Sequence, residues 1–353
     1  MANIFDYLKD VAYDSYYDLP LNELDILTLI EITYLSFDNL VSTLPQRLLD
    51  LAPQVPRDPT MLTSKNRLQL LDELAQHKRF KNCKLSHFIN DIDPELAAMT
   101  YRVSLDTYLI VFRGTDDSII GWKEDFHLTY MKEIPAQKHA LRYLKNFFAH
   151  HPKQKVILAG HSKGGNLAIY AASQIEQSLQ NQITAVYTFD APGLHQELTQ
   201  TAGYQRIMDR SKIFIPQGSI IGMMLEIPAH QIIVQSTALG GIAQHDTFSW
   251  QIEDKHFVQL DKTNSDSQQV DTTFKEWVAT VPDEELQLYF DLFFGTILEA
   301  GISSINDLAS LKALEYIHHL FVQAQSLTPE ERETLGRLTQ LLIDTRYQVW
   351  KNR

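Results

Sequence analysis

The sequence predicts an α/β fold in which a mainly parallel sheet has helices on both faces. Between residues 97 and 262, short apolar segments alternate with segments of helical spacing, and polar turns separate them. The apolar segments typical of buried strands are KVILAG, ITAVYTFD, SKIFIP and HQIIVQS. Strands that alternate with helices require crossover connections, and these cover both faces of a sheet.

The elements before this region are mainly helical. LNELDILTLIEITYL has its apolar residues at helical spacing, and NRLQLLDELAQHKRF follows after a proline-rich break. AAMTYRVS and TYLIVFRG flank the turn SLDT and are expected to pair as antiparallel strands. We therefore predict a helical N-terminal flank over residues 1–96 and an α/β core over residues 97–262.

Residues 263–353 are predicted to form a helical region that packs on the core. A polar connector, DKTNSDSQQVD, leads into helical segments in PDEELQLYFDLFFGTILEAG and LASLKALEYIHHLFVQA. The last helix is expected to begin at Thr328, which precedes Pro-Glu-Glu. A capping threonine, a proline at the first helical position and a glutamate at the third specify a helix start.

Composition excludes several classes of function. The chain has 44 acidic and 31 basic residues, so its surface should repel nucleic acid, and no basic stripe offsets this. The opening segment lacks the basic start and apolar run of a secretory signal, and no apolar run reaches about 18 residues. A cytoplasmic protein without an integral membrane segment is therefore expected. The single cysteine, Cys83, excludes an internal disulfide and a multi-cysteine zinc site, and no metal or organic cofactor is predicted.

A serine stands at a sharp turn between a predicted strand and a predicted helix. VILAGHSKGGNLAIYAA passes from an apolar strand through Gly-His-Ser-Lys-Gly into helical spacing. Small residues flank such a serine because larger side chains would collide where the chain doubles back. A hydroxyl held clear of the sheet can attack a carbonyl once a base removes its proton. We predict that Ser162 is a nucleophile; the alternative is a tight glycine turn that merely contains a serine.

A second motif, VFRGTDDSIIGWKEDF, lies upstream of the serine turn. FRGT followed by W-x-x-D and then by G-H-S-x-G is similar to the class three lipase family of α/β-hydrolases. The fuller combination resembles, in particular, a bacterial lipase-like family of unassigned function. The resemblance covers about residues 97–250 and implies an α/β-hydrolase-type sheet, here with helical extensions at both ends.

The resemblance also implies an oxyanion hole. In such lipases the residue after the FRG glycine supplies one donor, which corresponds to the backbone N–H of Thr115. The second donor would be the N–H of Lys163, the residue after the nucleophile, with its ammonium group in solvent. Arg113, Trp122 and Asp125 are expected to brace the loop rather than to contact substrate.

The base is expected to follow the serine and the acid along the chain. His245 is the predicted base because it lies in LGGIAQHDTFSW, a loop with glycines after the strand QIIVQS. The resembling lipases also place their histidine just ahead of an aromatic pair, which corresponds to Phe248 and Trp250 here. His230 is the next candidate, and His161 is expected to support the site without acting as the base.

The acid departs from the pattern of class three lipases. The position where those lipases carry it is Ser219 in this chain. Asp190 ends the strand TAVYTFD, one strand earlier, where certain other lipases with this sheet carry their acid, and it is the predicted acid. Its other role would be to cap the Ala-Pro-Gly turn that follows. Asp246, beside the base, is a weaker rival.

These residues predict a serine hydrolase of carboxylic esters, lipase-like or esterase-like on acyl lipids, that acts through an acyl-enzyme. The alternative is a catalytically silent hydrolase-fold protein that binds a lipid or a protein partner, and Ser219 motivates it. Residues 219–229 are either a flexible acyl-chain pocket or ordinary core. The polar segment 194–210 is expected to be a loop that covers the site.

Overall fold

The structure, a computed structural model, describes residues 2–57, 64–91, 96–115, 119–226, 228, 230–302, 320 and 322–352. The chain divides into two units. The first consists of Met1–Gly114 and Pro135–Asn264, and the second of Thr115–Ile134 and Ser265–Arg353. The helices, in chain order, are α1 (Ile4–Val11), α2 (Glu23–Glu31), α3 (Leu48–Leu51), α4 (Ser64–Gln76), α5 (Ile119–His127), α6 (Pro135–His150), α7 (Lys163–Gln174), α8 (Gln177–Gln180), α9 (Gln196–Thr199), α10 (Ala202–Met208), α11 (Ser265–Thr280), α12 (Asp283–Glu299) and α13 (Pro329–Lys351).

The first unit contains a mixed sheet. Its strands are β1 (Gln46–Arg47), β2 (Lys84–Asp91), β3 (Leu96–Arg102), β4 (Thr107–Phe112), β5 (Lys155–His161), β6 (Ile183–Phe189), β7 (Ser211–Pro216) and β8 (Gln231–Val234), followed by the short strands β9 (Ile252–Glu253), β10 (His256–Phe257) and β11 (Gln259–Leu260). The sheet has the order β1-β2-β3-β4-β5-β6-β7-β8-β11, and β9 and β10 form a separate hairpin. Strands β4 to β8 are parallel, whereas β1 to β3 and β11 join in antiparallel fashion. The predicted mainly parallel sheet and the antiparallel pair β3–β4 are confirmed.

Helices pack on both faces of this sheet. On β4, Leu109 and Val111 belong to the apolar core that also contains residues of α2. The alternate residues Tyr108 and Phe112 make ring contacts with α6. Since successive side chains of a strand point to opposite faces, α2 and α6 lie on opposite sides of the sheet.

Helix α2 is buried along its whole length, although it carries three acidic residues. Asp25 pairs with Arg79, whose side chain is also fully buried, with Nη2 and Oδ2 2.5 Å apart. Glu31 pairs with Arg67 across 3.0 Å. Buried carboxylates of this kind are tolerated only when a cation or hydrogen-bond donors compensate their lost hydration. The acidic residues of α2 suggest a helix with an exposed face, but the structure buries this helix on every side.

The N-terminal segment contributes strands as well as helices. β1 and β2 lie within residues 1–96, so the flank predicted there as helical also forms one edge of the sheet. The register of β2 against β3 shifts between Leu85 and His87. This irregularity brings Leu85 and Phe88 to buried positions three residues apart, which disguises the usual alternation of a strand.

The second unit is helical and has an aromatic core formed by Trp277, Tyr289, Phe290 and Phe294. α13 begins with the predicted Thr328 cap, which accepts from the Glu331 N–H at 3.2 Å. α11 begins at Ser265, so the prediction of a polar connector through SDSQQVD is wrong. The start of α11 buries Ser267 and Gln269 rather than apolar residues, which hides its helical period. Most of the predicted helix LASLKALEYIHHLFVQA lies outside the described residues.

Among the described residues, no helix is both long enough and apolar enough to cross a bilayer.

Candidate active site

Ser162 lies at the junction of β5 and α7, as the turn motif predicts. Its backbone has φ 58° and ψ −136°, a conformation that residues other than glycine rarely adopt. Strain of this kind occurs where the surrounding structure overdetermines a residue, commonly at functional sites. The Ser162 side chain is nearly buried, with 5 % of its surface exposed.

The glycines around Ser162 are required by close backbone approaches. A Cβ atom on Gly160 would lie 2.1 Å from the Gly164 carbonyl carbon. A Cβ atom on Gly164 would lie 2.0 Å from the Phe112 carbonyl oxygen, at the end of β4. Separations this short do not occur between real atoms, so both positions admit glycine alone. The G-x-S-x-G spacing therefore specifies how β4, β5 and α7 meet.

The predicted base and acid are hydrogen bonded to each other. His245 Nδ1 and Asp190 Oδ2 are 2.6 Å apart, although the two residues are 55 positions apart in the chain. Asp190 follows β6 with φ 43° and is fully buried. His245 ends a 3-10 turn, Ala243–His245, after β8. The chain thus delivers the two groups from different loops at the carboxyl ends of the strands.

Ser219 contacts the same carboxylate. Its hydroxyl donates a short hydrogen bond to Asp190 Oδ1, and the Gly222 N–H donates to that oxygen at 3.0 Å. Asp190 therefore receives donors on both oxygens, with Oδ2 reserved for His245. The serine that replaces the expected acid acts as a hydrogen-bond donor to the acid on the neighbouring strand.

The His245 loop lies against the serine turn through His161. The rings of His161 and His245 are 4.3 Å apart between centroids, and His161 Nε2 is 3.0 Å from the His245 carbonyl oxygen. A carbonyl oxygen can only accept, so Nε2 of His161 carries a proton. Among the described residues, neither Ser162 Oγ nor His245 Nε2 has a hydrogen-bond partner. Such hydrogen bonds between catalytic groups often form only when substrate is bound.

Tyr34 completes a chain of hydrogen bonds behind the turn, and the sequence analysis assigned it no role there. Its hydroxyl is 3.2 Å from His161 Nδ1 and accepts from the Gly114 N–H at 3.2 Å. Burial holds the pKa of His161 well below its usual range, and the nearby His245 imidazole lowers that pKa further. His161 is therefore neutral, and Tyr34 donates to its Nδ1. Tyr34 ends the 3-10 turn Ile32–Tyr34 that follows α2, and a tyrosine at the end of this apolar segment gives no sequence signal for the contact.

A buried ion pair braces the His245 loop from the other side. Glu31 Oε1 accepts from the Thr247 hydroxyl at 2.7 Å, and Glu31 Oε2 accepts from Arg67 Nε at 3.0 Å. The Arg67 guanidinium also lies over the Tyr34 ring, 4.1 Å from its centroid. The end of α2 and the start of α4 thereby fix the segment that follows His245.

The rival candidates lie elsewhere. Asp246 accepts from the Phe248 N–H at 3.1 Å and caps the next turn, and burial raises its pKa. His230 is exposed and has no bond to Asp190. His256 Nδ1 is 2.7 Å from Glu23. Among these groups, only His245 is joined to the predicted acid.

The predicted oxyanion residues have different surroundings. Lys163 is 2 % exposed, so the prediction that its ammonium points into solvent is wrong. The reason is that α7 is buried along its length, and its first turn is enclosed with the rest. Thr115 begins the second unit, where its hydroxyl donates to Asp125 at 2.7 Å. This bond agrees with the bracing role expected of Asp125. Arg113, for which the same role is expected, donates to Asn90 Oδ1 at 3.0 Å.

Two segments predicted near the site are more regular than expected. Residues 194–210 contain α9 and α10, so the prediction of a long loop is wrong. Gly203 allows α10 to pack closely against α7, because a Cβ atom at this position would lie 1.9 Å from the Ser173 carbonyl oxygen. Of residues 219–229, Ile221, Met223 and Met224 are buried, which favours the core interpretation, whereas 227 and 229 lie outside the described residues.

A family model described as Mbeg1-like matches residues 74–295. No curated protein matches the chain. Similar solved structures include a mutant of MDLA from Penicillium cyclopium, which has 13 % identity and a TM-score of 0.44, with 67 % of this chain and 83 % of that chain covered. A lipase from Rhizopus microsporus var. chinensis has 13 % identity and a TM-score of 0.39 over 69 % of this chain and 80 % of that one. A propeptide complex of Rhizomucor miehei lipase has 20 % identity and a TM-score of 0.35 over 62 % and 70 %. The family match spans more than half of the sequence, and the chain therefore belongs to the Mbeg1-like family.

Proposed function

We propose that this protein is a serine hydrolase of carboxylic esters whose substrates are acyl lipids or similar esters. The observation that carries the proposal is the 2.6 Å bond between His245 Nδ1 and Asp190 Oδ2. The loop that holds His245 contacts the strained turn of Ser162 through His161. A nucleophile turn beside a histidine that is oriented by a carboxylate is the arrangement that activates a serine hydroxyl.

The Asp190 carboxylate sets the protonation of His245. An ionised carboxylate only accepts hydrogen bonds, so His245 Nδ1 carries the proton of this bond. Neutral His245 then has its lone pair on Nε2, the atom available to a serine proton. When Nε2 takes that proton, the imidazolium charge is stabilised by Asp190.

The reaction then follows from these groups. Ser162 Oγ attacks the ester carbonyl carbon while its proton passes to His245 Nε2. The bond from carbon to the alcohol oxygen breaks, and Nε2 returns the proton to that oxygen, which leaves an acyl group on Ser162. Water, deprotonated by Nε2, attacks the acyl carbon, and the carboxylic acid leaves as Ser162 regains its proton.

The negative oxygen of each tetrahedral intermediate needs fixed donors. Lys163 begins α7, and an N–H at a helix start, together with the helix dipole, stabilises an anion. We assign the Lys163 backbone N–H to this role, and the second donor, Thr115, stays a prediction. The loss of one such donor costs on the order of a hundredfold to a thousandfold in turnover.

A serine-directed fluorophosphonate probe tests the proposal. We expect it to label the wild-type protein covalently and not to label Ser162→Ala. The matched control is Ser173→Ala, on the same helix α7, where the hydroxyl bonds to the Tyr170 carbonyl oxygen instead. Its labelling should equal that of the wild type. A folded wild-type protein that resists the probe would contradict the proposal and favour a catalytically silent binding protein.

The class of ester can be tested with p-nitrophenyl esters of graded acyl length. An acyl-lipid enzyme should have a kcat/KM that rises with chain length, because each added CH₂ buried from water contributes about 0.8 kcal/mol. A flat or falling series would limit the proposal to short-chain esterase activity. Wild type and Ser162→Ala are compared on every ester, so that nonenzymatic hydrolysis is subtracted.

A further inference from the structure

The first unit contains a second cleft that the proposed reaction does not use. It has a volume of about 1080 Å³, and its walls are formed by β2, β3, β4 and α6. Pockets that hold drug-sized molecules have volumes of about 300–1,000 Å³, so this cleft can take a ligand of that size. Ser162, Asp190 and His245 are not among its lining residues.

The walls of this cleft are positively charged in a chain whose formal net charge is −13. Lys84, Arg102 and Arg142 line it together with four histidines, whereas Asp91 is the one carboxylate among the described lining residues. Within the described part of the chain, the side chains of Lys84 and Arg142 have no hydrogen-bond or ion-pair partner. The cleft therefore concentrates cations, and among the described residues neither Lys84 nor Arg142 is paired with a carboxylate.

The register of the sheet places two of these cations side by side. Lys84 on β2 is directly opposite Arg102 on β3. Directly opposed residues of an antiparallel pair share one face, and like charges in such a pair destabilise it. Arg102 donates to the carbonyl oxygens of Ser104 and Leu105, neither of which is an acid. An anion bound beside both cations would remove their repulsion.

The cation on the other side of Lys84 provides a comparison. Arg47 on β1 is directly opposite Lys84, but its guanidinium makes two hydrogen bonds to Asp50, of 2.7 and 3.0 Å. Among the described residues, Asp50 thus neutralises the outermost cation of the row, whereas no carboxylate pairs with Lys84 or Arg102, the two that line the cleft. Because Lys84 and Arg102 lack such a carboxylate partner among the described residues, their charges are available to bind an anionic ligand.

The same cleft offers aromatic surface along α6. The His151 ring lies 4.6 Å from that of Phe147, and the His87 ring is stacked 5.5 Å from that of Tyr143. These four rings therefore provide aromatic surface in the cleft that the cations also line. In the described residues, no group of three His, Cys, Asp or Glu side chains could hold a metal ion.

We propose that this cleft binds a single-chain amphipathic anion, namely a carboxylate or phosphate group attached to an apolar body. Lys84, Arg102 and Arg142 bind the acid group by charge-assisted hydrogen bonds. Tyr143 and Phe147 contact the apolar body. The strongly negative net charge of the chain excludes nucleic acid as the occupant, because a polyanion would be repelled by the rest of the surface.

Calorimetric titration of the full chain with dodecyl phosphate, kept below its micelle concentration, tests the proposal. We expect saturable binding to the wild type. The double variant Lys84→Gln with Arg142→Gln should bind about tenfold more weakly for each cation removed. Inorganic phosphate, which lacks the apolar body, and uncharged dodecyl maltoside, which lacks the acid, should both bind at least about tenfold more weakly than dodecyl phosphate. If inorganic phosphate binds as tightly as dodecyl phosphate, the apolar part of the proposal is wrong.

Two control variants locate the bound ligand. Lys262→Gln, an exposed lysine after β11 at the opposite edge of the sheet, should bind dodecyl phosphate like the wild type. Phe147→Ala should weaken dodecyl phosphate but leave the weak binding of inorganic phosphate unchanged. Wild-type affinity in the double variant, or no binding to the wild type, would overturn the proposal. Fluorophosphonate labelling of each variant separates this result from a failure of the esterase proposal, because the cleft variants leave Ser162 unchanged.

Discussion

The Ser162 turn and the His245 loop lie against each other, but different parts of the sequence hold them in place. The turn is specified locally, by glycines within two or three positions of the serine. The loop depends on distant residues, and the bond between Glu31 and Thr247 joins positions 216 residues apart. The position of the proposed nucleophile is thus encoded in one short motif, whereas that of the proposed base depends on the packing of the whole first unit.

Substitutions in the two regions should therefore have different effects on activity and on stability. A change to the reacting atoms in the turn or the loop removes chemistry but few packing contacts. A change to the bracing residues Glu31, Arg67 or Tyr34 leaves the reacting atoms present and alters the stability of the loop that holds them. Activity and stability, measured on the same variants, should therefore separate the two regions.

The largest effect is expected when a reacting group is removed. Ser162→Ala and His245→Ala should each lower kcat for an ester substrate by roughly a million-fold, because members of a catalytic group act as a unit. The double variant should lose no more than either single variant. Stopped assays with p-nitrophenyl esters measure this, and urea unfolding of Ser162→Ala should remain close to that of the wild type. Additive losses would mean that the serine and the histidine do not act together.

A smaller loss is expected for Asp190→Asn, on the order of ten-thousandfold in kcat. The asparagine amide can present N–H to His245 Nδ1, which favours the tautomer whose Nε2 carries a proton and cannot accept another. The exchange of Asp190→Ser with Ser219→Asp moves the carboxylate to the next strand, where class three lipases carry it. The double variant should be more active than Asp190→Ser alone. Full activity in Asp190→Asn would show that another group orients His245.

Sequence patterns predicted the local features of this molecule but missed several contacts between distant segments. The Ser162 turn follows from glycine spacing, and the Thr328 cap follows from its own four residues, so both could be predicted. The burial of Lys163 and the contact between Tyr34 and His161 depend on how separate segments pack. β2 escaped the prediction because the register shift near Leu85 disrupts its alternation. No short sequence motif encodes the burial of Lys163, the contact between Tyr34 and His161 or the position of β2.

Removal of the charge that braces the His245 loop should reduce stability. Glu31→Gln keeps an oxygen for Thr247 but leaves the Arg67 guanidinium, whose side chain is 10 % exposed, without its counterion. The loss of one partner from a buried ion pair costs about 3–5 kcal/mol in the free energy of unfolding. Urea unfolding measures this value. Glu253→Gln, at an exposed position, is the control and should unfold like the wild type. Equal stability in Glu31→Gln would mean that the ion pair does not support the loop.

The smallest effect concerns pH and separates the two histidines at the site. The pKa of His161 lies well below 6.5 in the folded protein, so the unfolded chain binds a proton more readily. Its neutral form therefore contributes stability above pH 6.5, and this stability is lost as the pH falls toward the folded pKa. The loss should be at most about 1.4 kcal/mol per pH unit. His161→Gln, whose amide can still donate to the His245 carbonyl oxygen, should have a correspondingly shallower decline in unfolding free energy below pH 6.5. Other histidines with lowered pKa, such as His77 and His87, contribute equally to both proteins, so the difference between the two curves reports His161. Parallel curves would show that folding does not lower the pKa of His161, so that His161 is protonated below pH 6.5 and Tyr34 cannot then donate to its Nδ1.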